Sequence, residues 1–143
     1  LSPLLVPPCL LTARAPSEAE WRDIRLCLRV ARQCAGFGVG QTVVLRHGVV
    51  AAVEGIEGTT ETIRRGCALA GPGAVAVKAV APRHDYRFDV PAGGDETLDA
   101  LAAGRAAALA VEAGKVLLLD REAVVARAGR EGIAIVSLDA DAA

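Results

Sequence analysis

The chain has 143 residues, 52% of them apolar but only 3% aromatic, enough for one domain whose core is built from small aliphatic side chains. Its 16 Lys and Arg nearly balance 17 Asp and Glu, and no basic stripe is interleaved with aromatics, which argues against nucleic acid as a partner. The uncharged stretch at residues 1–12 carries Pro3, Pro7 and Pro8, is too short to span a bilayer, and lacks the basic start of a signal peptide. Residues 1–16 therefore read as an extended arm or linker, because proline favours extended backbone.

Ser17 followed by Glu20 is the pattern of a capping box, in which each side chain satisfies a backbone N–H at a helix start. Trp21, Ile24, Cys27, Leu28, Ala31 and Cys34 then recur at spacings of three and four, giving this helix one apolar face as far as Gly36. Two Val-rich runs, Thr42–Arg46 and Val49–Glu54, are joined by His47-Gly48, where glycine supplies the positive φ of a tight antiparallel hairpin. The next helix is expected to start with a Thr59 or Thr60 hydroxyl as its cap and to end near Gly71-Pro72.

Val75–Val80 reads as a strand buried on both faces, and a charged loop leads from it to Phe88-Asp89-Val90. An alanine-rich helix opens at Asp95 or Thr97 and is expected to reach Ala108. Leu109–Glu112 turns at Ala113-Gly114 into Val116–Leu119. A last helix follows from Arg121, with Asp120 as its cap, to Glu131 and a stop at Gly132, and Ile133–Leu138 closes the order as a strand. This pattern predicts an α/β single domain, a mixed β-sheet flanked by helices.

Cys9, Cys27, Cys34 and Cys67 form no CxxC pair, and no histidines stand at zinc-finger spacing. Cys27 and Cys34 fall about 10 Å apart on one helix, too far for a disulfide. The four read as reduced thiols, which points to a reducing compartment.

Lys78 interrupts an apolar run. An isolated buried charge is costly, so this lysine needs a partner or a place where the strand meets solvent or a ligand. Arg83, His84, Asp85, Arg87 and Asp89 follow closely, a mixture suited to a phosphate together with a divalent cation. Asp89 is either a turn former or a metal ligand. The segment from Glu54 to Thr60 carries acids and glycines into a helix start, where free N–H groups at Thr59 to Glu61 favour an anion that Arg64 and Arg65 can also reach. The alternative is a surface acid at Glu57 and a solvated arginine face. Gly36-Phe37-Gly38-Val39-Gly40 has the look of a nucleotide-binding glycine loop but follows a helix and feeds a strand, so loop flexibility accounts for it better.

Taken together, GVGQTVVLRHGVVAAVEGIEGT (residues 38–59), Ile63 to Arg65, VKAVAPRHDYRFDVP (77–91), AVEAGKVLLLDREAVV (110–125) and IAIVSL (133–138) resemble the C-terminal domain of the LpxI-type UDP-2,3-diacylglucosamine pyrophosphatases. The resemblance implies that residues 17–143 form the catalytic C-terminal domain of a family about twice as long, whose N-terminal domain shares the substrate. It implies hydrolysis of the UDP-2,3-diacylglucosamine pyrophosphate to 2,3-diacylglucosamine 1-phosphate and UMP in lipid A synthesis, with water attacking the α-phosphorus and Mg2+ as cofactor. A cytoplasmic location at the inner membrane face and a homodimer are also implied.

In these terms Asp89 and Lys78 are the expected catalytic residues, and Glu57, Gly58, Thr59, Arg64, Arg65 and Arg87 the expected substrate contacts. Asp89, Glu57 and Asp85 are the expected metal ligands. Thr60 and Ala92-Gly93 depart from the family pattern, and they leave a non-catalytic sugar-nucleotide or lipid-binding module as the alternative.

Overall fold

The computed structural model describes residues 9–10, 12, 14–79, 95–112 and 121–138. In chain order the described elements are β1 (Cys9–Leu10), α1 (Glu18–Gly36), β2 (Thr42–Arg46), β3 (Val49–Val53), α2 (Thr59–Ala70), β4 (Val75–Lys78), α3 (Asp95–Ala103), β5 (Ala108–Glu112), α4 (Arg121–Glu131) and β6 (Ala134–Leu138). The strands form one mixed sheet in the order β1-β6-β5-β4-β2-β3. Its centre is parallel, with Lys78 level with Val111 and Val111 level with Ser137. The hairpin β2–β3 joins antiparallel on one side, and β1 joins antiparallel on the other. The fold is the mixed sheet with flanking helices that the sequence predicts.

Helix α1 starts at the expected capping box, with Glu20 N–H donating to Ser17 Oγ and Ser17 N–H to Glu20 Oε1, both at 3.1 Å. Its Ile24, Cys27, Leu28 and Ala31 are fully buried against Val43, Leu45, Val75 and Val77 on one face of the sheet. Burial of side chains such as Ile24 and Leu28 stabilises the fold by about 1.5–3 kcal/mol each. The other face is covered by Ile63 and Cys67 of α2, Leu98 and Leu101 of α3, and Val124 and Ala128 of α4, packed on Val44, Ala76, Leu109 and Ile135. All four residues of β4 are buried, as a strand covered on both sides requires. The scarcity of large side chains lets the layers come close. A Cβ on Gly66 of α2 would lie 2.5 Å from Val44 Cβ.

The hairpin turns at His47 (φ 51°) and Gly48 (φ 77°), both left-handed, as the tight two-residue turn demands. Asp23 of α1 fastens it, its carboxylate accepting the N–H groups of His47 at 2.8 Å and Gly48 at 2.9 Å. A register shift beside Val44 and Leu45 leaves Ala51 as the extra residue of a bulge in β3.

Two expectations need correction. Neither Thr59 nor Thr60 caps α2; Gly58 takes the N-cap position and has no side chain to offer, while the Thr59 hydroxyl is engaged elsewhere. Helix α3 ends at Ala103 rather than near Ala108, because Gly104 packs where a Cβ would strike Cys67 at 2.3 Å and Arg105 turns to φ 53°. Described residues within 1–16 are tied to the rest of the chain. Cys9 and Leu10 pair with Ser137 and Val136, the Ile135 N–H donates to Thr12 Oγ1 at 3.0 Å, and Arg14 Nη1 donates to the Ala107 carbonyl at 2.9 Å. The Phe88-Asp89-Val90 segment, the turn into Val116–Leu119 and the cap at Asp120 lie outside the described residues.

Candidate functional site

Lys78 is the last residue of β4, at the carboxyl end of the parallel strands, where open α/β sheets place their ligands. It is only 7% exposed, and its Nζ donates to Thr59 Oγ1 at 3.1 Å. The opposing residue on β2 is Thr42, whose Oγ1 lies 3.2 Å from the same Thr59 oxygen. An ammonium has no acceptor to offer, so Thr59 accepts from it and turns its own hydroxyl proton elsewhere. Glu54 Oε1, 3.4 Å away, is one such acceptor. The sheet supplies Lys78 and Thr42, and the start of α2 supplies Thr59.

That start also orients backbone donors. With Gly58 at the N-cap (φ 92°), the first turn of α2 offers N–H groups and the positive end of the helix dipole beside the lysine. Thr60 Oγ1 lies 3.4 Å from Thr97 Oγ1, so the first turns of α2 and α3 meet at the same end of the sheet. A buried ammonium beside two helix starts makes an electropositive end able to receive a phosphate.

The other expected residues divide. Glu57 and Arg65 are held together: Arg65 Nη2 and Nε donate to Glu57 Oε2 at 2.6 and 3.0 Å, and Nη2 also donates to the Val53 carbonyl at 3.0 Å. Glu57 Oε1 accepts the Gly55 N–H at 2.7 Å. That N–H, followed by the Arg65 guanidinium, holds the Glu57 carboxyl below the usual carboxylate range. Arg64 pairs with Glu61 on the exposed side of α2. Lys78, Gly58 and Thr59 thus come together, whereas Glu57 and Arg65 fasten the loop before α2 and Arg64 faces its own helix. Asp85, Arg87 and Asp89 lie outside the described residues. Among the described residues no group of three His, Cys, Asp or Glu side chains is placed to hold a metal ion. Glu57, the described member of the expected ligand set, has both oxygens engaged.

Thr42, Glu54 and Thr97 were not predicted as site residues. Their signal is positional, a polar residue at the end of a strand or the start of a helix, and it acquires meaning only once the elements are packed. Glu112 at the end of β5 was also missed; it is 5% exposed and bonded to Arg32 Nε of α1 at 3.2 Å. Burial pushes the Cys27 and Cys67 thiols up, so both are protonated, inert core groups, as the sequence reading expects.

Beside the lysine, two glycine-containing turns border an open cleft of about 280 Å³ lined by Ala35, Gly38, Val39, Gly40, Gln41, Glu54 and Gly55. Flexibility is not what residue 40 needs. A Cβ there would sit 2.1 Å from the Glu54 carbonyl oxygen, so glycine is required for the two segments to touch.

A family model described as the LpxI C-terminal domain matches residues 7–136. The UDP-2,3-diacylglucosamine pyrophosphatase LpxI of Caulobacter vibrioides is 35% identical, over 87% of this chain and 48% of its own length. The chain spans about half the length of this curated relative. The match begins at residue 7 and runs through both elements that carry Lys78 and Thr59 into β6, and on that extent the chain belongs to the LpxI C-terminal domain family.

Proposed function

We propose that this chain is the catalytic half of an enzyme that hydrolyses the pyrophosphate of UDP-2,3-diacylglucosamine, giving 2,3-diacylglucosamine 1-phosphate and UMP. The observation that carries the reading is the 35% identity to an enzyme of that name across 87% of the chain. The geometry supports it. Lys78, held by Thr59 at 3.1 Å beside the first turn of α2, offers a fixed positive charge to a phosphate oxygen that gains charge as the anhydride breaks. Water adds to the α-phosphorus, the bond to the bridging oxygen breaks, and that oxygen leaves with the sugar phosphate. Lys78, Thr59 and the Gly58 turn bind and orient; the paired Glu57 and Arg65 keep the loop before α2 in place.

A divalent ion, Mg2+ in the first instance, belongs to this proposal on the strength of the RFDVP resemblance, with Asp89 and Asp85 as the residues that would hold it. Such an ion polarises phosphate oxygens and lowers the pKa of water. Glu57 is a poor third ligand while Arg65 holds it. The same proposal includes an N-terminal domain sharing the substrate, a homodimer, and work in the cytoplasm at the inner membrane face. Among the described residues no helix is long and apolar enough to cross a membrane.

The test is the full-length protein with UDP-2,3-diacylglucosamine and Mg2+, following UMP and the lipid product. Release of both, lost in EDTA and restored by Mg2+, is the expected result. Binding without release favours a sugar-nucleotide or lipid-binding module, and full activity in EDTA removes the ion from the scheme.

A further inference from the structure

We propose that the cleft between the two glycine-containing turns receives the nucleoside end of the substrate, with Gln41 hydrogen-bonding the base and Glu54 the ribose hydroxyls. This rests on the pyrophosphatase reading above and adds to it which end of the substrate lies where.

The cleft adjoins the phosphate end through shared residues. Glu54 lines it and also takes the hydroxyl of Thr59 at 3.4 Å, and Thr59 in turn holds Lys78 at 3.1 Å. Carboxylate and ammonium are therefore two short contacts apart, a span like that from the ribose hydroxyls to the first phosphate of a nucleotide. Gln41 is fixed by its neighbours. Its carbonyl accepts the Ala79 N–H at 2.8 Å, and the next residue, Thr42, stands opposite Lys78.

Size and chemistry select the ligand end. A volume of about 280 Å³ is small for a diacylated sugar but ample for a pyrimidine ring and part of a ribose. The lining combines three glycines and Ala35 with one amide and one acidic residue, and Val39, 51% exposed, supplies an apolar wall for a ring. The Gln41 side chain is half-buried and makes no hydrogen bond among the described residues, so its donor and acceptor are both available to the edge of a uracil. A carboxylate near the ribose hydroxyls is a recurrent solution for nucleotides in α/β folds. The Gly36–Gly40 turn is then a wall against the base rather than a phosphate cradle.

The experiment measures the affinity of the full-length protein for UMP and for ribose 5-phosphate, which keeps the phosphate and sugar but lacks the base. Wild type should prefer UMP by about tenfold or more, the worth of one or two hydrogen bonds and a ring contact. Gln41→Ala should collapse that preference while affinity for ribose 5-phosphate stays unchanged, and Glu54→Gln should weaken both ligands. A preference for UMP that survives Gln41→Ala overturns the placement even when wild type turns over its substrate normally. Equal affinity of a turning-over wild type for the two ligands overturns it as well. A wild type that neither releases nor binds UMP defeats the pyrophosphatase reading, and this placement with it.

Discussion

Lys78 owes its place to an exchange between burial and partnership. At 7% exposure its ammonium has lost most of its water, and Thr59 returns one hydrogen bond from the start of a different element. Replacing it by methionine keeps most of the apolar stem and removes the ammonium together with its hydrogen bond to Thr59. In the full-length protein Lys78→Met should lower kcat/KM for UMP release by about 10²-fold, with activity normalised to the folded fraction. Unchanged turnover would leave Lys78 a strand-end residue and nothing more. That a lone lysine in VAVK needed a partner was legible from the chain. The identity of the partner was not, because Thr59 lies 19 positions away and reaches Lys78 only when α2 settles on the sheet.

At the scale of elements, the loop between β3 and α2 depends on one ionised side chain. Glu57 accepts the Gly55 N–H and pairs with Arg65, and both interactions favour its charged form. Its carboxyl is therefore lowered from the ordinary 4.5, and the loop's fastening is complete above that value and lost as pH falls through the depressed one. The amide signal of Gly55 should titrate with a midpoint below 4.5, and Arg65→Ala should move that midpoint back up. A midpoint at the ordinary value in both proteins would mean that the tie carries no weight in solution. Helix α1, its capping box and the hairpin were readable in advance, since each rests on residues a few positions apart. The cap of α2 was misread. Thr59 fits the preference for a hydroxyl at a helix start, yet the buried ammonium competes for the same oxygen and Gly58 takes the cap.

For the molecule as a whole, the alternation of helices and apolar runs suffices for a mixed sheet with helices on both faces. It does not reveal that the first segment closes one edge. Cys9 and Leu10 pair with β6, and Thr12 bonds Ile135 across 123 positions, a contact with no local signature in the chain. A protein beginning at Ser17 should melt at a lower temperature than residues 1–143 and should aggregate on heating, because the open edge of β6 would expose unpaired backbone groups and Arg14 would no longer hold the Ala107 carbonyl. Equal melting of the two would show that the edge strand adds nothing. The longer form should melt in one cooperative step.

Gly66 makes the packing of α2 and the chemistry at its tip a single mechanical problem. It lies seven residues along the helix from Thr59, about 10 Å at the rise of an α-helix. Val44 leaves no space for a methyl group there, with 2.5 Å to an added Cβ. A larger residue must therefore lift the helix or tilt it, and a rigid rod carries that displacement to its end. Gly66→Ala touches no polar group, yet it should lengthen the reach from Lys78 to Thr59 and slow turnover by more than the loss of folded protein explains, since displacements near 1 Å cost about 10²-fold in rate. Turnover per folded molecule, measured beside a melting curve, separates the two effects. The smallest side chain in α2 would then set the tolerance to which the site is built.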